Sequence, residues 1–208
     1  MNPDRKAACE RNIQLFCESY FPATYSLAWS PDHLKVIEKI ETAVLRGGLF
    51  ALALPRGSGK TTITESAALW SMLYGHREFV VLIGATESAA LELLDSLKTE
   101  LEVNERLAED FPEVCYPVAQ LEGIANRCAG QLYKGERTRI TWTSNEIVLP
   151  TVDGSRASGN IGRVAGITGR IRGMKFKRSD GRSVRPSLVI IDDPQTSESA
   201  GSLEQTRK

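Results

Sequence analysis

The stretch LFALALPRGSGKTT, residues 49–62, constrains this chain more than any other. LFALAL is a short, nearly continuous apolar run of the kind that forms a strand covered on both faces. It enters a loop carrying Gly57 and Gly59, and from Lys60 to Tyr74 the residues Ile63, Ala67, Trp70 and Tyr74 recur near one helical face until Gly75 stops the run. A strand that opens a helix through such a loop points several backbone N–H groups at one spot, where the helix dipole favours negative charge. The GK[ST] ending is that of a phosphate-binding loop, yet Leu54 stands where G-x-x-x-x-G-K-[ST] has its first glycine. Leu54 still belongs to the expected strand, so the loop starts later and Pro55 sets its entry. Pro55, Arg56, Gly57, Ser58, Gly59, Lys60, Thr61 and Thr62 are the candidate nucleotide-binding residues. Lys60 is placed to reach the β- and γ-phosphates and Thr61 to put its hydroxyl on Mg²⁺. An isolated GSGKT also describes a flexible turn with a solvated lysine; the flanking strand and helix weigh against that.

Upstream, Asn2-Pro3 and Ser30-Pro31 are helix openings, each a capping residue followed by proline at the first helical position. Ile13, Phe16, Cys17 and Tyr20 recur at helical spacing before Pro22, and Leu34, Ile37, Ile40 or Glu41, and Val44 form one stripe before Gly47-Gly48. Residues 1–48 therefore read as a helical N-terminal segment. Downstream, FVVLIG (79–84) predicts a buried strand, and Ala90, Leu94, Leu97 and Leu101 mark the helix after it. Residues 121–132 are expected to be helical, RITWTS (139–144) and EIVLPTV (146–152) to pair as strands, and the glycine-rich 154–173 to be irregular loop. SLVIIDDPQ (187–195) supplies a last buried strand. The order strand, glycine-bearing loop, helix, strand, helix predicts a right-handed parallel α/β sheet. The expected division is 1–48 helical segment, 49–196 core, and 197–208 polar tail or cut linker.

A chain of 208 residues with 41% hydrophobic content is long enough for one well-packed domain. No apolar run approaches the roughly 20 residues that span a bilayer, and the start lacks the apolar stretch of a secretory signal, so a soluble intracellular protein without a membrane partner is the expectation. Cys9, Cys17, Cys115 and Cys128 show no C-x-x-C pairing, and His33 and His76 have no cysteine at zinc-finger spacing, which argues for free buried thiols rather than a structural metal. Basic and acidic residues balance at 26 each, so net charge is silent about partners. Their distribution is not: residues 86–113 carry nine acidic and two basic side chains, residues 156–185 nine basic and one acidic.

In VIIDDP, Asp192 falls at the carboxyl end of a strand, the edge where parallel sheets collect ligands. Asp192 is the candidate magnesium-linked carboxylate, and Asp193 the candidate to orient or deprotonate an attacking water. Two acids ending a strand also cap helices or face solvent; the phosphate loop tips the balance toward function. GRIRGMKFKRSDGRSVRP holds seven basic residues between 170 and 185, a run suited to nucleic-acid phosphates without base readout. A solvated loop is the plain alternative, for Lys175 and Lys177 above all.

LPRGSGKTT, GATESAALELLDSL, GITGRIRGM and RPSLVIIDDPQ, in that order over roughly residues 30–196, resemble the ATPase half of the large subunit of a tailed-bacteriophage DNA-packaging terminase. The resemblance implies an α/β P-loop NTPase fold of the RecA/ASCE-like kind, a mostly parallel sheet flanked by helices, with ATP and Mg²⁺ as cofactors. It implies that Arg56 lies near the γ-phosphate, Lys60 and Thr61 bind phosphates and Mg²⁺, Asp192 is the Mg²⁺ carboxylate and Asp193 the catalytic one. Arg170 or Arg172 would act across a subunit boundary, which requires a homo-oligomeric ring. Double-stranded DNA, a small terminase subunit and a portal protein are the implied partners, and the host cell cytoplasm the implied place. Two features depart from the family. Its catalytic acid is generally glutamate, one methylene longer than Asp193, and here only fifteen residues follow Asp193, fewer than the remaining strand, the Ser/Thr-rich coupling segment and the nuclease need. An incomplete ATPase domain without DNA cleavage is therefore implied. Phe21, Tyr25 and Trp29 fall where the family borders adenine, but no glutamine stands there to read the base edge. A helicase-like DNA-dependent ATPase, a nucleoside kinase and a nucleotide-binding module with little catalysis are the competing readings. Arg172→Ala is expected to leave nucleotide binding intact and abolish turnover in assembled rings; unchanged turnover removes Arg172 from the mechanism.

Overall fold

Side-chain caps decide where most of the helices begin. In the computed structural model, which describes residues 1–55, 57–167, 169 and 173–194, Asn2 caps α1 (Pro3–Cys9) and Asn12 caps α2 (Ile13–Tyr20) by accepting from the backbone N–H of Arg5 and Leu15. Ser30 caps α3 (Pro31–Arg46), which ends at the left-handed Gly47. The expected stripe of α3 shifts by a residue: Val36, Ile37, Ile40 and Val44 are buried, whereas Leu34 is 42% exposed. Helix α4 (Lys60–Leu73) is buried almost all round in its second half, where Ser66 to Leu73 are all inside. Thr86 caps α5 (Glu87–Val103), Asn104 opens α6 (Glu105–Asp110), and Pro112 starts α7 (Pro112–Ala119).

The described residues also form nine short strands. The fold is mixed α/β, with a five-stranded sheet in the order β4-β5-β6-β1-β9. Its most deeply buried strand is β1 (Phe79–Gly84), every residue of which is buried. It pairs in parallel with β6 (Ile161–Gly166) on one side and β9 (Leu188–Ile191) on the other. The strands β4 (Thr141–Trp142) and β5 (Glu146–Val148) extend the sheet antiparallel beyond β6. Two small hairpins, β2 (Leu132–Tyr133) with β3 (Glu136–Arg137) and β7 (Phe176–Lys177) with β8 (Ser183–Val184), stand outside it. Val80 and Leu82 face the helical layer, while Phe79, Val81 and Ile83 pack with Ile161, Phe176 and Val184 on the opposite face. One hydrophobic cluster runs from Cys9 through α3 and α4 to Val164, so the first 48 residues share a core with the rest.

Four expectations are corrected. LFALAL is not a strand: residues 49–54 pair with nothing among the described residues, and Leu49, Phe50 and Leu52 are 101%, 42% and 37% exposed. A strand needs a ladder partner, and β9, whose outer edge is open among the described residues, does not supply one there. Correspondingly β9 is not the fully buried strand expected of SLVIIDDPQ, since Val189 and Ile191 are 46% and 53% exposed. Residues 121–132 form turns and a 3₁₀ helix over Ala125–Gly130 in place of an α-helix. The glycine-rich 154–173 contains a central strand, β6. Its glycine content hides it: Gly166 sits opposite Gly84 in the ladder, and a Cβ on either would come within 2.8 Å and 2.7 Å of the backbone nitrogens of Glu87 and Ala90. Both glycines let the first turn of α5 lie directly on the sheet.

The acidic run of α5 to α7 is partly consumed by packing. Asp110 is 0% exposed and accepts from the Asn2 backbone N–H (2.6 Å), Arg5 Nε (2.6 Å) and Tyr20 Oη (2.9 Å), while Glu109 and Glu113 pair with Arg5 and Lys6. Burial alone would raise the Asp110 carboxyl, but Arg5, the Asn2 N–H and the Tyr20 hydroxyl outweigh it and hold it below its ordinary value. A depressed carboxylate contributes stability above its unfolded pKa of about 4 and loses it as pH falls through the folded value. Asp110→Ala takes the acceptor from Arg5 Nε, the Asn2 N–H and the buried Tyr20 hydroxyl at once and is expected to cost about 3–5 kcal/mol in urea unfolding at pH 7. The variant should also lose less stability than the parent between pH 5 and pH 3.

Candidate functional site at the carboxyl edge of the sheet

Parallel pairing of β1 with β9 brings the end of β9 to the start of α4. The Thr61 hydroxyl, in the first turn of α4, donates to Asp192 Oδ2 at 2.7 Å across 131 residues of sequence. Asp192 follows directly after β9, and its own N–H donates to the Ile83 carbonyl at 2.9 Å, which anchors it to the last turn of the ladder with β1. Asp193, next in the chain, adopts a left-handed backbone with φ of 41° and is exposed. Asp and Asn tolerate that conformation better than other side chains.

Before α4 the chain makes a tight turn. Ser58 donates to the Pro55 carbonyl through both its backbone N–H (3.4 Å) and its hydroxyl (2.7 Å). Gly57 and Gly59 have φ of 76° and 74°, and a Cβ at either would meet nothing within 4 Å. Their requirement is conformational, not steric. Gly59 caps α4 without a side-chain hydrogen bond, so the first turn offers N–H groups that no side chain covers among the described residues. The Lys60 ammonium donates to the Leu54 carbonyl at 2.9 Å and so folds back over the loop it follows. Thr62 presents its carbonyl to the Tyr25 hydroxyl at 3.0 Å, and the same hydroxyl lies 2.8 Å from Ser66 Oγ.

The structure therefore brings Pro55, Gly57, Ser58, Gly59, Lys60, Thr61, Thr62, Asp192 and Asp193 to one edge. Arg56, Arg170 and Arg172 lie outside the described residues. Lys175, Lys177 and Arg185 are exposed on or beside the β7–β8 hairpin. Arg178 and Arg182 are instead tied down, the first by the Ser158 carbonyl at 2.7 Å and the second by Asp180 and Glu78. Phe21, Tyr25 and Trp29 form an aromatic ladder against α4: Phe21 and Tyr25 meet edge to face at 6.4 Å, and Tyr25 and Trp29 lie tilted by 31° at 5.0 Å. A concavity of about 840 Å³ lies elsewhere along the same sheet edge, beside Glu87, Arg163, Gly166 and Lys175. Among the described residues no group of three or more His, Cys, Asp or Glu side chains forms a metal cage. A hydroxyl and one carboxylate suit Mg²⁺, which keeps several waters and shares its remaining ligands with phosphates. No protein-family profile, curated protein or solved structure matches the chain.

One acid near this pair was not anticipated. Glu65 sits one helical turn after Thr61, half-buried between α4 and α5. Burial, and then the negative charges of Asp192 and Glu100, push its carboxyl up to about 7 against the pull of a hydrogen bond with Ser96. Polar spacing along α4 was the available signal, but only the fold shows which acids it faces. A raised carboxyl contributes stability that is present below its unfolded pKa and lost as pH rises through about 7. Glu65→Gln is expected to stabilise the protein by about 1 kcal/mol at pH 8, after allowing for solvent screening of a half-exposed group, and by nothing near pH 4. Urea unfolding at the two pH values checks this; an equal effect at both refutes it.

Proposed function

We propose that this chain is the ATP-hydrolysing motor domain of a viral DNA-packaging terminase, built on a P-loop NTPase fold. The supporting observation is the 2.7 Å bond between Thr61 Oγ1 and Asp192 Oδ2 at the N-terminus of α4. A hydroxyl that gives its hydrogen to a carboxylate keeps its lone pairs for a cation, so the pair presents oxygen ligands on one side. Beside them the Gly57–Gly59 turn and the first turn of α4 offer backbone N–H groups to phosphate oxygens, favoured by the helix dipole. Lys60 would leave the Leu54 carbonyl for the β- and γ-phosphates. Bound Mg²⁺ would neutralise charge that develops on the transferring phosphoryl group. Asp193 would orient the attacking water, and Arg56 with Arg172 or Arg170 from a neighbouring subunit would stabilise the phosphoryl oxygens.

Exposed Lys175, Lys177 and Arg185 support contact with duplex DNA through its phosphates, without base reading. A ring of copies, a small terminase subunit, a portal protein and the host cytoplasm complete the proposal. No helix among the described residues is long and apolar enough to cross a membrane. A nucleotide-binding module with little turnover is the second reading, favoured by residues 49–54, which enter the phosphate loop without the support of a ladder.

ATP binding and hydrolysis with Mg²⁺, with and without duplex DNA, test the proposal. Turnover should fall at least about 100-fold in Asp192→Asn and Lys60→Ala, with the thermal midpoint little changed. Binding without turnover under every condition selects the module. No ATP binding by the unaltered chain overturns both readings.

A further inference from the structure

The N-terminal helical segment touches the phosphate loop at one point of direct chemical consequence. His33, in the first turn of α3, places Nε2 at 2.9 Å from the Ser58 carbonyl oxygen. Its Nδ1 lies 3.1 Å from Ser30 Oγ and 3.4 Å from the Ser30 backbone nitrogen. A carbonyl only accepts and the Ser30 N–H only donates, so these contacts fit a hydrogen on Nε2 directed at Ser58 and an Nδ1 that accepts from Ser30. The ring is held from a second direction by Trp29, whose ring meets it edge to face at 5.9 Å.

The bond to Ser58 settles an orientation. In a trans peptide the C=O and the following N–H point in opposite directions. Fixing the Ser58 carbonyl toward His33 therefore turns the Gly59 N–H away from α3, toward the side where the Gly57–Gly59 turn meets the start of α4. On one side of this peptide Gly59 is a glycine at positive φ with open space where a Cβ would be, so no side chain there resists its rotation. The Ser58 side chain does not hold it either, because its hydroxyl is spent on the Pro55 carbonyl. The restraint comes from the neighbouring helix.

We infer that His33 is a positioning residue for the nucleotide site, locking the Ser58–Gly59 peptide so that the Gly59 N–H is aimed at the phosphates before they arrive. The inference rests on the functional reading given above and adds to it the role of the N-terminal segment: α3 supplies the order that a glycine-bearing loop lacks. Preorganisation of this kind changes affinity without adding a contact to the ligand.

The test compares the unaltered protein with His33→Ala and His33→Gln, whose side-chain amide keeps an N–H donor. ATP·Mg²⁺ affinity is measured by calorimetry, and the Gly57 and Gly59 amide signals by ¹H–¹⁵N NMR without nucleotide. His33→Ala is expected to weaken binding about tenfold and to broaden or shift the loop glycine signals, with the thermal midpoint within a few degrees of the parent. His33→Gln should recover most of both. ATP binding by the unaltered chain with an unchanged His33→Ala affinity overturns this inference alone. A His33→Ala loss that Gln does not recover assigns the effect to ring packing on Trp29 and overturns it as well. No binding by the unaltered chain overturns the functional reading and, with it, the nucleotide role of His33; unchanged glycine signals in His33→Ala then overturn the lock itself.

Discussion

The parallel register of β6, β1 and β9 is the constraint on which the rest of this structure depends. Phe79 to Gly84 lie against Ile161 to Gly166 on one side, and Val80 to Ile83 against Leu188 to Ile191 on the other. All three strands therefore end at one edge, and whatever follows them is delivered there: Asp192 after β9, the α5 turn after β1, and Ile167 after β6. A slip of one residue would turn Val80 and Leu82 away from the helical layer and carry Asp192 off Thr61. The two glycines at the ends of β1 and β6 keep α5 close enough to hold that edge shut on the helical side.

Helix α4 depends on the N-terminal segment as much as on the sheet. Trp70 donates to the Cys9 carbonyl, Tyr74 to the Lys6 carbonyl and Tyr25 to Thr62, so α1 and the turn after α2 grip its length by named bonds. The buried Asp110 cluster fastens α1 to α6 from the other side. Part of the charge asymmetry in the sequence thus has a structural use: acids of α6 and α7 are matched by Arg5 and Lys6. The same holds in the basic stretch, where Arg163 pairs with Glu146 across the β5–β6 ladder and Arg182 pairs with Asp180. Among the described residues of that stretch, Lys175, Lys177 and Arg185 stay exposed on and beside the β7–β8 hairpin.

The candidate site was legible in residue type before it was legible in space. GKT after a glycine-bearing turn and two acids after VII pointed to the same chemistry, and Thr61 and Asp192 do meet. Glu65 and His33 were not singled out for any role. A glutamate within a helix and a histidine within a capping turn have ordinary local explanations, and only the packing of α5 and α3 against α4 gives them neighbours that matter. The strand at 49–54 was the opposite case, since its apolar composition was plain but no ladder partner lies beside it among the described residues.

Local order was set by the chain itself. Asn2, Asn12, Ser30, Thr86 and Asn104 start helices by satisfying N–H groups a few residues away, and FVVLIG is apolar enough to be central wherever the sheet forms. Such effects reach three or four residues and need no tertiary context. Tertiary structure alone decided that β6 is a strand despite its glycines, that 49–54 is not one despite its leucines, and that β9 lies at the edge. The reason is that a strand is completed by hydrogen bonds and burial from residues far away in sequence, so its existence is a property of its neighbours rather than of its own composition.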